Sequence, residues 1–317
     1  DIFVIGMNGG VYTAAWQPGW ELFHGWWRLG ELVCGTKNPR PWEWQYVGTA
    51  LWIENTMWSE EAQGVAADDE AHWYLVSNNS KTIRKYKAQG GSVQLVAQAL
   101  IVPGLIGHLG APSYYRGHVY VPVSNQSGFQ PQGVWRASKS LTSWEWLPVA
   151  EDAEDLEFPW CAVNPLNGRL YTSPGSPIES PSLPLLMAYD RQTLRRAPED
   201  DVYSYPGEIH SLTAVQGGIF TRRGRFLLTM GSQHVESLNR LYCFSATTGH
   251  CYGMKYLGDW GDGWAEAEGV TLRPWMFSFP GGIALRADVH VLELDNDESN
   301  EDDCYLRGYS VPEPELL

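Results

Sequence analysis

The chain has 317 residues, of which 44% are hydrophobic and 19% are charged, and its formal net charge is −15. This length can bury the core of one large domain or of two ordinary ones. The acidity argues against a nucleic-acid-binding protein, which usually presents a basic patch, and against attachment to an anionic membrane. The 33 glycines and 20 prolines indicate many turns and favour an all-β fold.

The first predicted element is a β-hairpin at the start of the chain. Two short apolar runs, residues 2–7 and 11–16, are joined by Asn8-Gly9-Gly10, which tolerates positive φ. A lone hairpin cannot bury its own apolar face, so the rest of the chain must cover it.

The hairpin pattern recurs along the chain, which indicates a repeat architecture. A small residue precedes a short strand of alternating pattern in each of six units, at Gly10, Ala71, Gly117, Gly168, Gly224 and Gly282. In four of these units a second marker lies seven residues earlier, at Gly64, Gly110, Cys161 and Gly217. A further predicted hairpin follows most units after a variable loop, so each unit supplies four strands.

Six such units predict a single β-propeller domain over residues 1–317, with six four-stranded blades as the favoured count and five or seven as the alternatives. A β-sandwich or a two-domain all-β protein is the competing interpretation. Residues 31–58 do not fit the repeat. A split blade, made from residues 1–30 and the C-terminal strands, is therefore expected to close the ring.

The first thirty residues resemble one repeat of the tandem-repeat β-propeller lectins that bind fucose and related sugars. The resemblance lies in three stretches, "FVIG" from Phe3, "GGVYTAAW" from Gly9 and "GWWRL" from Gly25, and no later unit repeats Gly-Trp-Trp-Arg. In that family the sites lie between adjacent similar repeats, which implies at most one such site here. The side chains expected to form it are Tyr12, Trp16, His24, Trp26, Trp27 and Arg28.

Sugar binding also has a physical basis in these residues. A pyranose has an apolar C–H face that stacks on aromatic rings, and hydroxyl groups that pair with polar side chains. Packing between blades also uses large aromatic residues, so a structural role is the alternative for each tryptophan.

Polar segments precede the predicted innermost strands, where they should approach the propeller axis. These segments are "SEEAQG", "LIGHLG", "DAEDLEFPWC", "EIHSLTAVQG" and "WAEAEG". Carboxylates that are crowded together raise one another's pKa, and such groups, like histidines, suit acid–base catalysis. From these segments, His108, His210 and Glu157 are the candidate catalytic residues. Glu61, Glu157 and Glu268 are the candidate ligands for Ca²⁺ or another divalent cation, and no other cofactor is predicted. A solvated channel is the alternative.

Cys243 and Cys251 flank a predicted hairpin turn at Thr248-Gly249. A disulfide across this hairpin and a pair of free thiols are both compatible with the spacing. No nucleotide-binding loop of the form G-x-x-x-x-G-K-[ST] and no G-x-S-x-G serine-hydrolase motif occurs in the sequence.

These observations favour a secreted or extracellular lectin-like propeller that binds glycans, without nucleic-acid partners and without membrane insertion. The first alternative is a propeller hydrolase or polysaccharide lyase that acts at the axial carboxylate and histidine cluster. The second alternative is a protein-interaction propeller.

Overall fold

The computed structural model describes residues 2–5, 10–15, 24–31, 44–53, 57–70, 72–89, 92–101, 107–124, 132–149, 158–174, 183–205, 212, 214–231, 239–257, 265–278, 284–295 and 302–310. Of these, residues 2–31, 88–89, 92, 273–278 and 284–287 are described by their backbone alone. The chain divides into two compact units, residues 1–39 and residues 40–317. Across the described ranges, no helix has the length and apolar character needed to cross a bilayer.

Residues 40–317 form a β-propeller of five antiparallel blades. Blade 1 contains β5 (Ala62–Ala67), β6 (His72–Ser77), β7 (Thr82–Gln89) and β8 (Ser92–Leu100). Blade 2 contains β10 (Ser113–Tyr115), β11 (His118–Ser124), β12 (Gly133–Ser138) and β13 (Trp144–Pro148), and β9 (His108–Leu109) also pairs with β11. Blade 3 contains β14 (Ala162–Val163), β15 (Leu170–Thr172), β16 (Pro184–Tyr189) and β17 (Val202–Tyr203). Blade 4 contains β18 (Val215–Phe220), β19 (Arg225–Met230), β20 (Arg240–Ser245) and β21 (Cys251–Tyr256).

Blade 5 joins the two ends of the propeller sequence. It contains β22 (Ala265–Ser278), β23 (Ala284–Asp295), β24 (Asp303–Ser310) and, as its outermost strand, β4 (Gln45–Ile53). The pairing of β24 with β4 runs from Cys304 opposite Ile53 to Ser310 opposite Gln45. The predicted split blade is therefore present, but its N-terminal strand comes from the segment that did not fit the repeat, and residues 1–30 supply none of its four strands.

The propeller fold and its four-stranded blades are confirmed, and the number of blades is five rather than the favoured six. The first of the six units in the sequence count, the N-terminal hairpin, is not a blade of the propeller. In the structure, β1 (Ile2–Ile5), β2 (Gly10–Ala15) and β3 (His24–Glu31) form a three-stranded antiparallel sheet of their own. The predicted hairpin itself is confirmed, since Ile5 pairs with Val11 and Ile2 with Ala14.

The core of the propeller is divided among its five blade interfaces. Each of five hydrophobic clusters draws most of its side chains from two neighbouring blades. Trp73, Trp135 and Trp160 are among the largest fully buried side chains, whereas Trp52 and Trp144 on outermost strands are exposed. Most of the described tryptophans therefore pack between blades, as expected for sheets that bury their faces only against their neighbours.

The hairpin around Cys243 and Cys251 is confirmed as the β20–β21 pair. Neither cysteine is joined in a disulfide. Because Phe244 rather than Cys243 pairs with Cys251, the two cysteines are not directly opposite each other.

Candidate active site

Three of the innermost strands share an irregularity at the same place. The register with the next strand shifts at Gln63 in β5, at Gln216 in β18 and at Glu268 in β22. Each of these residues immediately precedes a glycine and is extra to its ladder. Such β-bulges re-aim a side chain and are common beside active sites. The three residues therefore occupy equivalent places in blades 1, 4 and 5.

The glycines after these bulges bring the innermost strands together. A Cβ added to Gly64 would lie 2.5 Å from the Cα of Ala111, one on Gly217 would lie 2.6 Å from the Cα of Gly269, and one on Gly269 would lie 2.8 Å from the Cα of Gly64. These distances exclude a side chain at any of the three glycines. The polar residues just before them therefore converge on a narrow axis rather than lining a wide channel.

Two buried glutamates from β22 form the centre of the site. Glu266 and Glu268 are 6% and 3% exposed. The Nε2 of Gln216, from blade 4, donates a hydrogen bond to Oε1 of Glu266 at 2.8 Å. Asn239, also from blade 4, accepts from the backbone N–H of Ala267 at 3.3 Å and so fixes the strand between the two glutamates. Blade 4 thus holds the acidic pair of blade 5 in place.

The pKa of Glu268 lies well above its usual range. Burial is the largest cause, and the neighbouring carboxylates of Glu266 and Glu61 add to it, as does a hydrogen bond with Glu266. The protonated form of Glu268 is therefore favoured over the ionised form, which is the requirement for a general acid.

Glu61 reaches the same axis from blade 1. It ends a short 3₁₀ helix, Ser59–Glu61, which precedes β5 and follows the buried Trp58. Its Oε2 accepts hydrogen bonds from Nδ2 of Asn78 at 3.2 Å and from Nε2 of Gln63 at 3.4 Å. The Glu61 side chain is 45% exposed, so one carboxylate of the site is open to solvent while Glu268 is enclosed.

His108 lies beside Glu61 at the start of β9, with Nε2 of the imidazole 3.9 Å from Oε2 of Glu61. Burial lowers the pKa of His108, and the charge of Glu61 opposes that shift while Lys81 adds to it. The imidazole is therefore neutral at pH 7 and offers one donor and one acceptor. The Nζ of Lys81 donates to Oδ1 of Asn78 and, at 2.8 Å, to the carbonyl of Gly107, so its charge is engaged within the wall of the site.

The structure brings together three of the predicted axial residues, Glu61, His108 and Glu268. The other two, His210 and Glu157, lie outside the described residues. Within the ranges that the structure describes, no three His, Cys, Asp or Glu side chains are grouped as a metal ion would need. The metal-binding role of Glu61, Glu157 and Glu268 stays a prediction.

The predicted glycan-binding residues belong to the N-terminal unit. Tyr12 lies in β2, and His24, Trp26, Trp27 and Arg28 lie in β3, where the backbone alone is described. Trp16 lies outside the described residues. Their role in binding sugar stays a prediction.

Sequence reasoning did not assign roles to Glu266, Gln216, Asn78 or Asn239. A signal for the first two was present, because "AQG", "VQG" and "AEG" mark the three bulged strands in the same way. No such signal existed for the asparagines. Each acts across a blade boundary, and Asn78 accepts from the backbone N–H of Leu109 at 3.0 Å.

Comparisons with known proteins identify the fold alone. No protein-family model matches the chain, and no curated protein matches it in sequence. Among solved structures, the GH43_1 enzyme from Xanthomonas citri is 12% identical, with a TM-score of 0.51 over 81% of this chain and 90% of that enzyme. The same enzyme has been solved in complex with xylose, with a TM-score of 0.50.

Other propellers are similar to a comparable degree. The tail fibre of Staphylococcus aureus phage P68 is 15% identical, with a TM-score of 0.52 over 86% of this chain and 54% of the fibre. The glutaminyl cyclase from Myxococcus xanthus is 12% identical, with a TM-score of 0.49 over 84% of this chain and 97% of the cyclase. The propeller fold is common to proteins of several activities, so function must be argued from the site.

Proposed function

We propose that the chain is a carbohydrate-hydrolysing propeller enzyme, with Glu268 as the general acid and Glu61 as the general base. One observation carries the proposal: a buried glutamate with a raised pKa lies close enough to an exposed carboxylate from a different blade for that carboxylate to contribute to the shift. Hydrolysis of a glycosidic bond uses two carboxyl groups, one that donates a proton and one that accepts a proton or attacks the sugar.

The environment of each residue suits its role. Glu268 would protonate the leaving glycosidic oxygen, and Glu266 beside it would hold the proton in position through their hydrogen bond. Glu61 is exposed enough to accept a proton from an attacking water, and the amides of Asn78 and Gln63 orient its carboxylate. The neutral imidazole of His108, next to Glu61, would pair with a sugar hydroxyl.

The structural comparisons support the hydrolase over the lectin. The similarity to a GH43_1 glycoside hydrolase, which is also known with bound xylose, extends over most of both chains. The lectin interpretation rests on the N-terminal unit, whereas the arrangement of acids belongs to the propeller. A purely sugar-binding propeller has no need for a buried carboxyl group whose pKa is raised by neighbouring carboxylates.

The test is the release of reducing ends from a panel of neutral polysaccharides, namely xylan, arabinan, galactan and β-glucan. We expect turnover of at least one, and a loss of about 100-fold or more in Glu61→Gln because general-base assistance is removed. Glu60→Gln is the matched control, since Glu60 belongs to the same 3₁₀ helix and instead accepts from Nδ2 of Asn79 at 2.6 Å.

Glu60→Gln should keep the wild-type rate within about twofold, as expected of a surface substitution. Equal losses in the two variants would contradict the role of Glu61. Binding to a polysaccharide without any release of reducing ends would refute the hydrolase and restore the lectin interpretation.

A further inference from the structure

The charge of the axial site restricts the substrates that it can accept. Three carboxyl groups, from Glu61, Glu266 and Glu268, face the axis. The nearest described cation, Lys81, is engaged with Asn78 and the Gly107 carbonyl. Burial lowers the pKa of Lys81, and His108 is neutral at pH 7. Within the described part of the site, Lys81 is therefore the cation that an anionic substrate could meet, and two acceptors of the protein already bind its ammonium group.

Basic residues are sparse in the sequence next to the strand ends at the site, where the innermost strands begin, second strands end, third strands begin and fourth strands end. Neither lysine nor arginine occurs in the stretches of sequence between these strands that lie outside the described residues, namely 54–56, 102–106, 125–131, 150–157, 175–182, 206–211, 232–238, 258–264 and 296–301. Among the described residues at this end, Lys81 lies in a turn, Arg240 at the start of β20 and Lys255 one residue before the end of β21.

The opposite end of the propeller has a different charge. Its turns carry basic residues, namely Arg116, Lys139, Arg191, Arg195, Arg222 and Arg223. Acidic residues are mixed with them, and Lys139 pairs with Glu70 across blades 1 and 2. Among the described residues, basic side chains are therefore frequent in the turns at the opposite end, whereas the site itself carries glutamates, whose negative potential disfavours a bound anion.

We infer that the axial site takes saccharide chains without carboxylate or sulfate groups, and that it rejects uronates. The inference rests on the proposed function and names its substrate class. A uronate bound near Glu61 and the Glu266–Glu268 pair would add another negative charge close to these carboxyl groups, in a poorly screened environment. The same charge disfavours the lyase alternative, because β-elimination from a uronate builds negative charge on the substrate carboxylate, and the described site holds glutamates where a lyase needs cations.

The experiment compares matched substrates that differ only in charge. Pectic galacturonan and its carboxyl-reduced form, a neutral galactan, make one pair. Xylo-oligosaccharides with glucuronosyl side groups and the same oligosaccharides with those groups carboxyl-reduced make another. We expect kcat/KM to be at least about tenfold lower for each charged member. The ratio of kcat/KM between the neutral and the charged member should decrease as ionic strength rises, because salt screens charges at the rim of the site.

A charge variant outside the catalytic group sharpens the test. Glu60→Lys places a cation near the axis and leaves Glu61 in place. We expect the ratio of kcat/KM between the neutral and the charged member of each pair to fall several-fold. The turnover of the neutral member should stay unchanged. Glu70→Lys makes the same change at the opposite end and should leave the ratio unchanged. Equal or faster turnover of the charged members would overturn the inference while the hydrolase proposal stands. If the protein cleaves no neutral polysaccharide of the panel and no member of either pair, both the inference and the hydrolase proposal are overturned.

Discussion

Among the glutamates that blade 5 buries, Glu268 and Glu293 lie in neighbouring strands, and their surroundings give them different roles. Glu293 in β23 is held by Arg307, whose Nε donates to Oε2 at 2.8 Å. Burial raises the pKa of Glu293 to about 7 although Arg307 opposes the shift. Glu268 in β22 is equally enclosed, but the charged groups that shift its pKa are other carboxylates.

The comparison separates a structural acid from a functional one. A buried carboxylate beside an arginine is an ion pair that holds the fold together, because removing one partner would leave the other charge unpaired. A buried carboxylic acid among carboxylates gains nothing for stability from its ionised form, which is typical of groups retained for chemistry.

The largest expected effect is on catalysis. Glu268→Gln cannot donate a proton, so we expect turnover of the best substrate from the polysaccharide panel to fall about 100-fold or more. Glu293→Gln, a change of the same size in the next strand, should leave turnover within about threefold once the folded fraction is matched. Similar losses in both variants, measured by initial rates alongside circular dichroism, would show that burial rather than chemistry explains the effect.

The next effect is on stability at the axis. Gly269→Ala places a Cβ 2.8 Å from the Cα of Gly64, so the innermost strands must separate, and we expect a loss of about 2–3 kcal/mol of unfolding free energy. In Gly117→Ala the added Cβ has no atom within 4 Å, and the only strain comes from the φ of +84°. We expect this variant to lose about 1 kcal/mol of unfolding free energy. Chemical denaturation of both variants tests this order. Equal losses would mean that the close approach of the strands does not constrain the axis.

A smaller effect concerns the pH dependence of stability. Between about pH 5 and 6.5, Glu268 and Glu293 hold protons in the folded protein that they lose on unfolding, because folding raises the pKa of both. The contribution of each protonated glutamate to the unfolding free energy is fully present at lower pH. It declines as the pH rises, by at most about 1.4 kcal/mol per pH unit for each group.

Glu268→Gln removes one of these two contributions. The unfolding free energy of the variant should therefore decline less steeply with pH than that of the wild type. Above pH 7, the difference in unfolding free energy should shift in favour of the variant. Unfolding free energies measured across this pH range test the expectation. A slope identical to that of the wild type would show that Glu268 is ionised in the folded protein.

The smallest expected effect is that of Gln216, which touches the acidic pair from the neighbouring blade. Gln216→Leu removes the donor to Glu266, so we expect a loss of about three- to tenfold in kcat with little change in KM, as a positioning role predicts. Gln216→Glu keeps the shape but adds another acid, and the alkaline limb of its pH–rate profile should move to higher pH. An unchanged profile in both variants would exclude a role for Gln216 in holding the pair.

The fold could be predicted from the sequence because its signals are local. A strand preceded by Gly117, Gly168 or Gly224 needs a turn with positive φ, and each of these glycines has one in the structure. The same spacing marked the innermost strands at Gly64 and Gly217. Residues 1–30 raised the blade count because they carry the same hairpin signal, although they form a separate sheet.

The sequence by itself determined that this chain repeats four-stranded units, that polar residues precede their innermost strands, and that Glu61, His108 and Glu268 are candidates for one site. Only the tertiary structure decided that β4 closes the ring, that bulges make Gln63, Gln216 and Glu268 equivalent, and that Asn78 and Asn239 connect neighbouring blades. These features depend on contacts between residues far apart in the chain. Hydrophobic periodicity reports the local fold of a segment and contains no information about which distant backbone it will meet.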